Sequence, residues 1–228
     1  MNKVNQQKDT EDAKHLFDLL DRYLIADLEM MVNGIPAKPS GGLGYPAIQT
    51  IISGMELLGM LMSGKKNDEA FRFFWDNYLK KSYPEYNNDH LRKIFRNCIR
   101  NGTAHYFLVK PKILITKKGK NHLKISNNSL IIDLKILYKH FKNIYKQLKD
   151  KITNAKDPKM LNNLSQSFKC LKNNWEVETS EVDVYIQSIN REYHQNFDKF
   201  IEGSSASETT VEGVSATKFL KNTQKNSW

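Results

Sequence analysis

The segment from Tyr45 to Ser63 constrains this chain more than any other. Ile48, Ile51, Ile52, Met55, Leu58, Gly59 and Met62 recur at spacings of three and four, the spacing of one helical face. Leu57 and Leu61 widen the apolar arc. A helix so broadly apolar must be enclosed on most sides. Pro46 suits its first turn, and Gly64 ends it. The segment therefore predicts a central helix that needs several amphipathic partners around it.

Those partners can be read along the chain. Residues 1–9 are polar and expected to be disordered. A helix is predicted from about Thr10 to Val32, with Leu16, Leu19, Leu20, Tyr23, Leu24, Leu28 and Met31 on one face and a stop at Asn33-Gly34. Two prolines and three glycines make 35–44 a loop. A third helix, Asn67 to Lys81, carries Phe71, Phe74, Trp75, Tyr78 and Leu79, with Asn67 as N-cap. A fourth runs from Asn88 to about Ala104 with Leu91, Ile94, Phe95, Cys98 and Ile99 inward. Ile113–Ile115 and Leu123–Ile125 flank Lys117-Lys118-Gly119-Lys120 and predict a short β-hairpin within 112–126. A fifth helix, about Ile132 to Ile152, turns Leu134, Leu137, Tyr138, Phe141, Tyr145 and Leu148 inward. Two more helices, Pro158 to Trp175 and Val182 to Ile201, form a C-terminal helical extension, 153–202. The Ser/Thr/Gly-rich residues 203–228 read as a flexible tail. The reading is a mainly α helical bundle over 10–152 with a short β-hairpin and a C-terminal extension.

Charge narrows the partners. The net charge of the chain is +10, yet Leu108 to Trp175 holds 16 lysines against three aspartates, a net of +13. Such an excess favours nucleic acid or an anionic surface as partner, or simply reflects a composition rich in Lys, Asn and Ile together. Lys135, Lys139, Lys142, Lys146 and Lys149 form one stripe opposite the apolar face of the fifth helix. With Lys117, Lys118 and Lys120 at the hairpin tip they form a track for an RNA backbone, or the solvated face of an amphipathic helix. No apolar run approaches the length of a membrane span, and Met1 to Glu11 has no signal-peptide apolar region, so a cytoplasmic protein is expected. Cys98 falls at a core spacing, and there is no CxxC or zinc spacing. His90, His122, His140 and His194 are scattered without ligand spacing and receive no role. No metal and no cofactor is expected.

Arg100-Asn101-Gly102-Thr103-Ala104-His105 is the chemically richest stretch. RNA cleavage by internal attack requires deprotonation of a 2′-hydroxyl, protonation of the 5′-oxygen and stabilisation of the phosphorane. A histidine serves either proton transfer, and an arginine fork holds the non-bridging oxygens. Asn101 shares a helix face with His105 and can orient phosphate or imidazole. Arg96 lies one turn before Arg100. Glu56, among the apolar residues of the central helix, either is buried and needs a partner, which Arg100, Arg96 or His105 can supply, or sits at the edge of the apolar face and reaches water. The same residues admit a structural reading, with Arg100 paired to a carboxylate and His105 at the helix C-terminus.

The Arg–four–His spacing, with Asn after the arginine, resembles HEPN domains. The resemblance covers about residues 10–150. It implies a helical bundle with the motif near the end of a late helix, a homodimer with a composite cleft, and metal-independent endoribonuclease activity of the kind found in toxin–antitoxin and phage-defence systems. An antitoxin or another defence-system protein would then be a partner. By the same resemblance Arg100, Asn101 and His105 are the catalytic set. Phe107 stands where some of these toxins carry a tyrosine, and Tyr106 is one residue early. Other members of the family are non-catalytic, so a helical dimerisation or RNA-binding module is the alternative.

Overall fold

The computed structural model describes residues 3–36, 42–106, 109–154, 157–170, 173, 182–189 and 191. Helix α1 starts at Lys3–Leu20 and runs on unbroken through Asp21–Ile25, Ala26–Glu29 and Met30–Gly34. Helix α2 is Gly44–Ser63, and α3 runs through Asn67–Phe74, Trp75–Leu79 and Lys80–Ser82. A 3-10 turn, Pro84–Tyr86, leads to α4, made of Asp89–Lys93, Ile94–Arg100 and Asn101–Tyr106. Strands β1 (Ile113–Thr116), β2 (Ile125–Ser126) and β3 (Ser129–Asp133) precede α5, Leu134–Thr153. Helix α6 spans 158–170.

The molecule is mainly α, with α2 at its centre. Ile48, Ile51, Ile52, Met55, Leu58 and Leu61 are fully buried, between Phe17 and Leu28 of α1, Phe71 and Phe74 of α3, Phe95 of α4 and Phe141 of α5. Each such side chain contributes about 1.5–3 kcal/mol on leaving water, and α5 adds a comparable set with Leu134, Leu137, Tyr138, Phe141, Ile144, Tyr145, Leu148 and Ile152 buried. Gly59 lets α2 and α3 touch. A Cβ there would lie 2.0 Å from the carbonyl oxygen of Ala70. Helix α4 is started by Asn88, whose side chain accepts from His90 N and Leu91 N, satisfying two orphan donors.

Several expectations are corrected. Helix α1 begins at Lys3, inside the stretch expected to be disordered; its Asp9 is buried, accepting from Ser165 Oγ at 2.6 Å and facing Lys169 Nζ at 3.4 Å. Tyr23, expected inward, is 70% exposed. Asp21–Ile25 is a wide turn bonded i to i+5, and the added residue rotates the following face. Asn67 does not cap α3; Lys66 takes the N-cap position, and Asn67 has φ 51°. Cys98 is half-buried rather than buried. The expected hairpin between 113–115 and 123–125 does not form. Strand β3, placed by sequence partly in the fifth helix, enters between them. The sheet order is β1-β3-β2, with β1 parallel to β3 (Ile113 opposite Leu130) and β2 antiparallel to it (Ile125 opposite Leu130). Asn127 and Asn128, both at positive φ, make the two-residue turn. Ile132 of the central strand is fully buried and Leu130 packs against the core, whereas Ile125 on the edge is 77% exposed.

Helix α6 belongs to the first compact unit, Met1–Asn173, because Leu161, Leu164 and Phe168 join its core. The expected boundary at residue 152 is therefore not an edge of the fold. The second unit, Asn174–Trp228, is helical over 182–189; the remainder of the helix expected to Ile201 is described only at residue 191, and the expected tail 203–228 lies outside the described residues. Among the described residues no single helix is long and apolar enough to cross a membrane.

Candidate functional site

The end of α4 is shaped by two local features. Residues Ile94–Arg100 form a wide turn, closed where Asn101 N–H bonds Arg96 O five residues back. Normal helix resumes at Asn101–Tyr106. Gly102 and Thr103 are then buried against α2. The Thr103 hydroxyl lies 2.8 Å from Ile99 O and within reach of Gln49 Oε1. One hydroxyl proton cannot serve both acceptors. The pair is satisfied when Thr103 donates to Ile99 O and the Gln49 amide turns its NH2 toward the Thr103 oxygen. Thr103 thus pins the motif turn to the central helix.

On the neighbouring face the charges form a row. Arg96 Nε donates to Asp68 Oδ1 at 2.9 Å, and Arg96 Nη1 donates to Glu56 Oε2 at 3.4 Å. Arg100 Nε lies 3.5 Å from the same Glu56 oxygen. That last contact is an ion pair without hydrogen-bond alignment, since Arg100 Nε is buried with no hydrogen-bond partner. Side-chain exposure rises along the row, from 14% at Arg96 and 17% at Glu56 to 28% at Arg100. The carboxylate satisfies Arg96 more fully and leaves Arg100 with donors to spare. A guanidinium braced from behind by a shared carboxylate suits an incoming phosphate.

Asn101 is half-buried beside Arg100. His105 lies on the last turn, Asn101–Tyr106; its side chain, like those of Ala104 and Tyr106 and all of Phe107, lies outside the described part of the chain. The structure therefore brings together Glu56, Arg96, Arg100 and Asn101. Thr103 and Gln49 were missed by sequence reasoning; a buried-face threonine inside a polar motif was the only signal.

The lysines divide. Lys117, expected at an RNA-facing tip, is corrected: it is 8% exposed, and its Nζ donates to the backbone carbonyls of Met31, Ile35 (3.1 Å) and Gly42 (2.5 Å). It satisfies carbonyls left over at the C-terminal end of α1 and in the loop beyond. Burial, and then Lys135, pull its pKa down. Lys142 is corrected too. It pairs with Glu29 at 2.5 Å, and this hydrogen bond, first of several, holds the Glu29 carboxyl down to about 2. Lys149 pairs with Asp21 across the same seam between α1 and α5. Lys118, Lys120, Lys135, Lys139 and Lys146 are exposed. Asp133 draws two of them together at one end of α5: its carboxylate accepts from Lys118 N at 2.7 Å, Gly119 N at 2.9 Å and Lys135 N at 3.1 Å. Lys118 and Lys135 thus meet at the start of α5, and Lys139 and Lys146 continue along its exposed face, interrupted where Lys142 and Lys149 pair with Glu29 and Asp21.

Two histidines given no role by the sequence, His122 and His140, meet at the buried hydroxyl of Tyr86. Among the described residues no group of three or more His, Cys, Asp or Glu side chains is placed to hold a metal ion. Compared with known proteins, the chain matches no family model, no curated protein and no solved structure.

Proposed function

We propose that this chain is a HEPN-like, metal-independent endoribonuclease whose reacting groups are Arg100, Asn101 and His105. The observation that carries the reading is Arg100 itself. It stands at the start of the motif turn, its buried Nε turned toward Glu56 and 28% of its side chain open to solvent. In this reading Arg100 holds the non-bridging oxygens as negative charge builds on the phosphorane. Neutral His105 takes the 2′-hydroxyl proton, or His105 in its charged form supplies the proton to the 5′-oxygen. One motif offers one histidine, so a second copy of the chain in a homodimer would supply the complementary proton transfer. The exposed lysines at the start of α5 add sequence-independent attraction for the RNA backbone. Action in the cytoplasm, as a toxin or phage-defence effector restrained by a partner protein, fits this chemistry.

The test is cleavage of a labelled RNA in EDTA. Wild-type chain is expected to cut, and His105→Ala to lose at least about a hundredfold in rate, the scale of one proton-transfer catalyst, with an unchanged far-UV spectrum. Equal cleavage by the variant removes the assignment. The second reading, a non-catalytic RNA-binding or dimerisation module, draws on the Glu56–Arg100 pair as a purely structural contact; it predicts binding without turnover.

A further inference from the structure

Tyr86 lies on the short turn that leads into α4, and it is completely buried. Its hydroxyl is 2.8 Å from His122 Nε2, in the loop between β1 and β2, and 3.1 Å from His140 Nδ1, on α5. Trp75 Nε1 donates to the Tyr86 carbonyl at 3.2 Å and its ring meets the tyrosine edge-on. The protons in this chain can be placed. Asp133 N–H donates to His122 Nδ1 at 3.0 Å, so that nitrogen carries a lone pair. In the neutral ring Nε2 must then bear the proton and donate to Tyr86. Tyr86 passes its own single proton to His140 Nδ1. One backbone N–H therefore fixes both tautomers, and it leaves His122 Nε2 with no lone pair for a metal ion.

The other groups facing the chain set what acid would do. Glu85 Oε1 is 3.9 Å from His140 Nδ1 on the solvent side. Lys139 neighbours His140 along α5, and Tyr83 stacks on the His140 ring at 3.8 Å. Asp133 faces His122, although both of its oxygens already accept backbone N–H groups and one also accepts from Thr116. A proton added at His140 Nδ1 would meet the Tyr86 proton head-on, and Tyr86 has nowhere else to send it while His122 donates from the other side. Glu85 offers the charged ring an alternative acceptor. His140 thus has two partners, Tyr86 when neutral and Glu85 when charged.

We propose that Tyr86, His122 and His140 form an acid-sensitive latch that holds the β-strand insert to the helical bundle and releases it when His140 takes up a proton and turns to Glu85. The insert carries the exposed Lys118 and Lys120, and Tyr86 stands two residues before the cap of the motif helix, so release repositions the basic turn at the foot of α4. The inference stands independently of nuclease activity.

Amide hydrogen exchange on the full chain tests it, read as protection factors so that the intrinsic pH dependence drops out. Protection of amides between His122 and Asp133 is expected to fall about tenfold or more between about pH 7.5 and about pH 5, while α2 stays protected. His140→Asn keeps an acceptor oxygen near the Nδ1 position but cannot take the proton, and is expected to show a smaller fall, the part contributed by His122 alone. Glu85→Gln is expected to move the transition to lower pH. A pH-independent insert in wild type, or the same fall in His140→Asn, overturns the proposal. Should His140→Asn fail to fold, nitrogen NMR of wild type decides: both rings are expected to carry their proton on Nε2 near neutral pH, and an Nδ1–H form at either overturns it.

Discussion

Replacing Gly59 with alanine tests the packing that sets the candidate site. The added Cβ would fall 2.0 Å from Ala70 O and 2.7 Å from Ala70 C, with Phe74 Cβ at 3.3 Å. The obstructing atoms are backbone in the first turn of α3, so no rotamer change relieves them. A carbon-to-oxygen contact needs about 3.3 Å, so α2 and α3 must part by about 1.3 Å. Alanine favours the helix by about 1 kcal/mol over glycine, and overpacking of this kind costs about 3 kcal/mol at the upper end of its range. The net expectation is a loss of about 2 kcal/mol, or about 4–8 °C in Tm for a unit of this size. Urea unfolding followed by circular dichroism should show a lower midpoint at unchanged slope. The parting also stretches the 2.9 Å contact between Asp68 on α3 and Arg96 on α4. A variant as stable as wild type, or more so, refutes the reasoning, because that is what helix propensity alone would give. Gly54→Ala is the control: its Cβ meets the tip of the Phe141 ring at 2.8 Å, which can shift, so its cost should be smaller.

Other consequences follow from the charged groups. Glu56→Gln removes the charge shared by Arg96 and Arg100 and should cost about 1–2 kcal/mol, discounted from a fully buried pair because Arg100 reaches solvent; a double-mutant cycle with Arg100→Ala should return a coupling near 1 kcal/mol, and a coupling of zero contradicts the bracing. Lys117→Met strands three backbone carbonyls and should lower stability by about 3 kcal/mol in thermal unfolding; a neutral result would mean the ammonium is dispensable. Burial, chiefly, and then the neighbouring His140 hold His122 down to about 4. The unfolded chain, with a histidine near 6.5, takes up its proton first, so stability is full above about pH 6.5 and declines as pH falls toward 4, by about 3 kcal/mol from this group. Urea midpoints across that window check it, and His122→Gln should flatten the slope.

The helices were legible because their evidence is local. Tyr45–Ser63 announces its own burial, and Asn88 announces the start of α4, since a cap needs only the next three residues. Glu56 was legible as a carboxylate amid leucines that must find either a cation or water, and the structure pairs it with Arg96 at 17% side-chain exposure. Contacts decided by the fold as a whole were not. Nothing near Lys117 in sequence reveals that it satisfies carbonyls some 75 to 86 residues earlier. His122 and His140 read as scattered because Tyr86, which joins them, sits on a turn with no periodicity of its own. The sheet was misread for a related reason: 113–115, 123–125 and 130–132 all carry apolar residues in strand-like spacing, and the pairing that puts the last between the other two is a contact across the fold, not a local signal.

Whether the end of α4 cleaves RNA is reported most directly by the chemical ends of the products. An RNA with one scissile site should be incubated with the chain in EDTA, alongside the same RNA carrying a single 2′-deoxy nucleotide at that site. Internal attack predicts a 2′,3′-cyclic phosphate and a 5′-hydroxyl from the first, no cut at the substituted position in the second, and loss of both products with Arg100→Ala. Products ending in 3′-hydroxyl and 5′-phosphate, or cleavage at the 2′-deoxy position, would contradict it.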